Sequence, residues 1–242
     1  MRALRSVILG AATSLAMVAF AHAATYSALG GFTLSNPSGP WSYGTGIGAS
    51  QAAFSNNYAS CFSATNFACQ DYGSDADVPG VGKVTSGASA ELVGTVLVPN
   101  TVLWMHPGDG VNAPDNVSVV FTAQSAGVYS VSGYFERLST ADDGNGVTVG
   151  IYDNGLSIYS GSLTTLSYGL TTSFDQKVTL AVGDKLTFEV GNNGEYNYDS
   201  TGLSATIATV PEPAAWALML GGVLMAGAAL RRCRGALGGY AA

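Results

Sequence analysis

The chain has 242 residues, with nine Lys and Arg against sixteen Asp and Glu and a formal net charge of −7. Five of the nine basic residues crowd into the two ends, so residues 24–209 keep only Lys83, Arg137, Lys177 and Lys185 against fifteen acids, a net charge of −11. A surface so poor in cations excludes nucleic acid as a partner, because phosphate binding needs clustered Lys and Arg; it suits solubility outside the cell and attracts cations.

Residues 1–23 read as a cleavable signal peptide. Arg2 and Arg5 make a positive start, Val7 to Phe20 is uncharged and apolar, and Ala21-His22-Ala23 offers signal peptidase the small side chains its pocket accepts. The cut is expected after Ala23, with Ala24 as the alternative. The apolar run is short for an anchor, and the cleavage site follows it at once.

The body, 24–209, starts with a turn-rich stretch, Leu34 to Gly44, that carries Trp41 and Tyr43. Ala49 to Gly82 is rich in small residues and weakly patterned. It holds Cys61 and Cys69, and an even pair in an exported chain is expected to form a disulfide around Phe62 to Ala68. Strands are expected at Val81 to Thr85, Leu92 to Leu97 and Thr101 to Met105. Val117, Val119 and Phe121 then alternate with Ser118, Val120 and Thr122. Tyr129, Val131 and Phe135 share a face, and so do Val147, Val149 and Ile151. Asp153-Asn154-Gly155 is a hairpin turn, since Asn-Gly tolerates positive φ, and Leu156 and Ile158 lie on its return strand. Val178, Leu180 and Val182, then Leu186, Phe188 and Val190, repeat the period across Gly183-Asp184. Leu203, Ala205 and Ile207 make the last strand. Alternation of this kind buries one face of each strand. The expected fold is all-β, a single antiparallel β-sandwich or jelly roll with no periodic helix in the body.

Val210-Pro211-Glu212-Pro213 precedes an uncharged stretch, Ala214 to Leu230, which Arg231, Arg232 and Arg234 close; residues 235–242 form a short tail. The uncharged stretch is expected to be a transmembrane helix at the lower edge of spanning length, with the arginines on the cytoplasmic side. This ordered set over 210–234 resembles the PEP-CTERM sorting signal of Gram-negative bacteria. The resemblance implies that an exosortase recognises Pro211, Glu212 and Pro213 and removes the tail. The chain would then be an inner-membrane intermediate that ends at the cell surface or in the extracellular matrix, often beside exopolysaccharide. Residues 235–242 depart from that pattern, in which the chain usually stops nearer the basic cluster.

A second resemblance rests on Asn36-Pro37, Gly39-Pro40-Trp41-Ser42-Tyr43-Gly44, Met105-His106-Pro107-Gly108, Gly183-Asp184 with Phe188, and Asp199-Ser200-Thr201-Gly202-Leu203. Together they are similar to a jelly-roll module of exported bacterial proteins shaped like carbohydrate-binding modules.

The sequence marks no catalytic group. His106 is the one histidine left after signal removal, and it reads as a strand-end residue before a Pro-Gly turn. There is no Gly-x-Ser-x-Gly elbow, no His-Glu-x-x-His pair and no marked pair of carboxylates. Asp142, Asp143 and Asn145 could supply oxygens to calcium, with Asp199 as a further candidate; the same residues are what a solvated turn uses. For sugar, Tyr196 and Tyr198 with Asp199 are the candidates, because alternate residues of an extended segment face the same way and aromatic rings stack on pyranose faces. Trp41 and Trp104 read as core. Two functions follow: a polysaccharide-binding module, or a structural or adhesive matrix protein with no small ligand.

Overall fold

The computed structural model describes residues 23–74, 77–211 and 219–227. They fall into two units, of which 23–210 is the body. Sixteen strands run in order: β1 (Thr25–Ser27), β2 (Trp41–Thr45), β3 (Ala52–Ala53), β4 (Asn56–Tyr58), β5 (Phe67–Asp71), β6 (Gly80–Val84), β7 (Ser89–Leu92) and β8 (Val96–Pro99) in the first half. The second half holds β9 (Leu103–His106), β10 (Asn116–Thr122), β11 (Gly127–Arg137), β12 (Val147–Asp153), β13 (Leu156–Leu163), β14 (Thr171–Leu180), β15 (Lys185–Gly191) and β16 (Thr201–Val210).

Fourteen of them build two antiparallel sheets, and β7 and β8 pair as a separate hairpin. One sheet has the order β14-β11-β16-β9-β6-β5-β4, with β1 also on β16; the other is β13-β12-β15-β10-β2-β3. The inner faces meet in an aromatic core of Trp41, Tyr43, Phe121, Tyr129, Phe135, Phe174 and Phe188. Phe121 lies 6.0 Å from Tyr129 and Phe174 lies 5.8 Å from Phe188, each pair reaching across from sheet to sheet. The alternating positions read from the sequence sit where expected: Val117, Val119, Tyr129, Val131, Leu180, Leu203 and Ile207 are all buried in this core. The hairpin at Asn154-Gly155 also forms where expected, and both residues have positive φ, at 49° and 89°.

A second hydrophobic cluster lies on the outer face of the larger sheet. Phe67, Cys69, Val84 and Trp104 from β5, β6 and β9 are covered by the β7–β8 hairpin, which contributes Ala90, Leu92, Val96 and Val98. Leu97 N–H donates to the Leu138 carbonyl and Thr140 N–H to the Thr95 carbonyl, fixing the hairpin to the chain beyond β11. Cys61 and Cys69 form the disulfide, with Cα atoms 6.1 Å apart, and Cys61 and Cys69 are buried in the same cluster.

Three expectations are corrected. The strand expected over Leu92 to Leu97 is instead a turn between β7 and β8. Val93 and Gly94 take φ of 47° and 71°, and Thr95 N–H bonds back to Leu92. The apolar run hid that turn, because Val93 is β-branched and only Gly94 signals the reversal. Val182 is exposed beyond the end of β14 and does not continue its buried face. One helical turn, α1 (Ala28–Gly31), occurs in the body, capped by Ser27 Oγ accepting from Gly30 N–H at 3.1 Å.

In the other unit, residues 219–227 are helical. No helix among the described residues is long and apolar enough to cross a membrane. The remainder of the expected transmembrane stretch, with Glu212, Pro213, Arg231, Arg232 and Arg234, and also Ala21 of the signal peptide, lies outside the described residues.

Candidate functional site

The segment between β15 and β16 carries Tyr196 and Tyr198. It is not extended: it turns at 193–194 and again at 197–198, and Tyr198 has φ 64°. The turns nevertheless bring both rings to one hollow of about 250 Å³. Trp104 and His106 line it from β9, Phe62 from inside the disulfide ring, and Val93 and Val96 from the β7–β8 hairpin. The rings follow one another in a row. Phe62 stands edge-on to Trp104 at 5.2 Å, Trp104 lies 5.9 Å from His106, and His106 lies 6.4 Å from Tyr196.

Trp104 is anchored by its indole N–H, which donates to Ser200 Oγ at 2.9 Å. It is almost fully buried, so it acts as the floor of the hollow while the two half-buried tyrosines form a wall. The Nδ1 of His106 lies 2.7 Å from the Pro107 carbonyl, an arrangement that places the ring proton on Nδ1 and leaves Nε2 as an acceptor. Desolvation lowers its pKa to about 4, against the weaker opposing effect of that hydrogen bond, so the ring is neutral at ordinary pH. Its orienting partner is a carbonyl, not a carboxylate. Asn197 Nδ2 donates to Glu195 at 2.9 Å, leaving the Asn197 side-chain oxygen as an acceptor.

A second hollow, of about 320 Å³, shares Val78 and Tyr196 with the first. Its lining is polar: Tyr72, Asp77, Asp109 and Asn112. Asp109 Oδ1 accepts from the backbone N–H of Val111, Asn112 and Ala113, and its Oδ2 accepts from Asn112 Nδ2 at 2.7 Å. Those donors hold the carboxyl well below the usual carboxylate range, so it stays ionised. The two hollows form one groove, aromatic at one end and acidic at the other, with Tyr196 between them.

Asp199 is placed differently from the tyrosines. It is buried beneath the groove, does not line it, and neither carboxylate oxygen has a hydrogen-bond partner. Burial raises its pKa to about 8, partly offset by Arg137 and reinforced by Glu195. Arg137 is buried too, and its guanidinium donates to the carbonyls of Ala141 at 3.0 Å and Asp143 at 3.2 Å.

That contact bears on the calcium reading of Asp142, Asp143 and Asn145. Arg137 places a fixed positive charge on the loop and takes two of its carbonyls. Asp143 Oδ1 accepts from Gly144 N–H, and Asn145 Nδ2 donates to Asn193. Among the described residues no three His, Cys, Asp or Glu side chains gather to hold a metal ion. Through the Ala141 and Asp143 carbonyls the loop clasps Arg137, while Asn145 Oδ1 is buried without a hydrogen-bond partner.

Phe62, Val78, Trp104 and His106 belong to the site although the sequence did not mark them as ligand residues. They come from three separate stretches, with Trp104 and His106 together on β9, and only the sheet order and the disulfide bring the stretches together.

No protein-family model matches the chain, and no curated protein sequence matches it. Among solved structures, a family 51 carbohydrate-binding module from Clostridium perfringens in complex with methyl-galactose is 13% identical, with a TM-score of 0.33; the match covers 48% of this chain and 80% of that one. A family 35 carbohydrate-binding module from Clostridium thermocellum is 10% identical with a TM-score of 0.28, covering 63% and 95%. Pika GITRL is 14% identical with a TM-score of 0.28, covering 42% and 76%. At such scores the likeness carries no argument about what this chain binds.

Proposed function

We propose that the body is a non-catalytic polysaccharide-binding module, exported by signal peptidase cleavage after Ala23 and sorted by an exosortase at Pro211-Glu212-Pro213 to the cell surface or matrix. The observation that carries the binding reading is the groove itself. Tyr196 and Tyr198 line it together with Trp104 and Phe62, and His106 Nε2 and Asn197 supply acceptors beside them. Sugars present apolar C–H faces and polar edges, and this lining meets both. Cleavage after Ala23 also agrees with the body. The backbone N–H of Ala24 donates to Thr209 Oγ1 at 2.8 Å and its carbonyl accepts from Thr209 N–H, so a cut after Ala24 would remove an ordered residue.

A glycan array probed with the exported protein tests this. Binding to at least one exopolysaccharide class is expected, and Tyr196→Ala should weaken it about tenfold or more, the scale of losing one stacked ring. An array with no signal, the host's own polysaccharide included, would end the reading.

The structural alternative, a matrix protein with no small ligand, is favoured by one observation. Edge strand β13 and its flanks carry no charge from Asn154 to Phe174, in an otherwise strongly acidic body. A long uncharged edge is a template for pairing with a second copy.

A further inference from the structure

The charge distribution around the groove narrows the class of polysaccharide, given the glycan reading above. The body has four cations, and none lines either hollow. Lys83 Nζ donates to the Phe32 carbonyl at 2.8 Å and lies over that ring. Lys185 Nζ donates to Gln51 Oε1 at 3.2 Å. Arg137 is buried in its loop clasp, and Lys177 sits on β14, the outermost strand of the larger sheet. His106 adds no cation above a pH of about 4. Acidic sugars entering the groove would therefore meet no positive charge. They would meet Asp77 and Asp109 at its polar end, with Glu195 next to Tyr196 in the chain. A carboxylate beside an aromatic face is the reverse case: it suits a cation, held by charge on one side and by the ring quadrupole on the other.

We propose that the groove selects an amine-bearing polysaccharide, with a glucosamine-type ammonium seated among Asp77, Asp109 and the ring of Tyr196 while a neighbouring sugar ring stacks in the aromatic hollow. Uronate polymers are disfavoured by the same groups. The selection acts at the polar hollow; stacking at the aromatic hollow serves neutral and amine sugars alike.

Titration calorimetry on the exported protein at mildly acid pH tests it with three probes of equal length: glucosamine, N-acetylglucosamine and uronate oligomers. Glucosamine oligomers should bind about tenfold tighter than the acetylated ones, the scale of one added charge pair at a partly screened site, and uronates should bind weakest. The advantage should shrink in high salt. Asp77→Asn, alone and with Asp109→Asn, should bring the ratio of glucosamine to N-acetylglucosamine affinity close to one. Asp175→Asn, an equal loss of charge on β14, should leave it intact. Equal affinity for amine and acetylated oligomers, or an equal loss in the Asp175 variant, overturns the amine selection and leaves the glycan reading standing. Tighter uronate binding also overturns it. No binding to any of the three, on top of a silent array, removes both.

Discussion

Asp199 keeps both carboxylate oxygens away from solvent and from any donor, so its proton is worth more in the folded chain than in the unfolded one. Its pKa rises from 3.8 to about 8, while that of His106 falls from 6.5 to about 4. Between about 4 and 6.5 the folded state holds the Asp199 proton and the unfolded state holds the His106 proton, so the two slopes cancel. Above 6.5 only Asp199 remains. The folded state binds the extra proton there, so stability is expected to fall by about 1.4 kcal/mol per pH unit until about pH 8. Asp199→Asn, which mimics the neutral acid, should flatten that decline. It should also uncover the His106 slope, with stability rising from pH 4 to 6.5. Urea unfolding at a series of pH values reads both effects; a wild-type curve with no decline above 6.5 would show that the Asp199 carboxyl ionises in the fold as it does in the open chain. Asp199 stood out in the sequence because it follows the two tyrosines; its burial depends on Arg137 and β16, which spacing cannot show.

At the scale of elements, the two halves of the body differ in how plainly they can be read. β10, β12 and β15 announced themselves by alternation. β6 and β9 were expected from short apolar runs without alternation and β5 was not expected, because the disulfide loop and the β7–β8 hairpin cover their outer face as well. Both faces of β5 are buried throughout, so Phe67, Ala68 and Cys69 run together, Gln70 and Asp71 are buried after them, and period two disappears. The same cover builds the aromatic hollow, since Phe62 lies inside the ring closed by Cys61 and Cys69. Replacing both cysteines by serine should therefore affect more than stability. Loop-closure entropy puts the loss at about 2–3 kcal/mol for so short a ring, seen as a lower melting temperature. Glycan affinity should fall as well, because Phe62 loses its fixed edge-on contact with Trp104. A variant that melts earlier yet binds sugar with unchanged affinity would show that the ring stabilises the sheet without shaping the groove.

Over the whole molecule, charge sets both what the groove admits and how copies meet. The sequence shows the body's −11 directly, but not where the four cations point; that comes from Lys83, Lys185 and Arg137 being tied to carbonyl or amide oxygens away from the groove. The tyrosine pair was legible because its members are near neighbours in sequence. Phe62, Val78 and the Trp104–His106 pair were not, since they lie on three separate stretches with no periodic signal joining them, and Trp104 read as core. The remaining surface feature is β13, whose outer edge is unpaired among the described strands and whose Leu156 is well exposed. Two bodies of the same strong negative charge repel at low ionic strength, over a Debye length of about 30 Å at 0.01 M salt. Screening by salt reduces that repulsion to within about 10 Å at 0.1 M and leaves the uncharged edge free to pair with another copy. If the matrix role is self-association, light scattering should show monomers at low salt and dimers or larger species as salt rises. Ser160→Lys, which places a charge on the exposed face of β13, should hold the protein monomeric throughout without altering sugar affinity. Monomers at every salt concentration in the wild type would set aside the adhesive role and leave the groove as the feature through which this body acts.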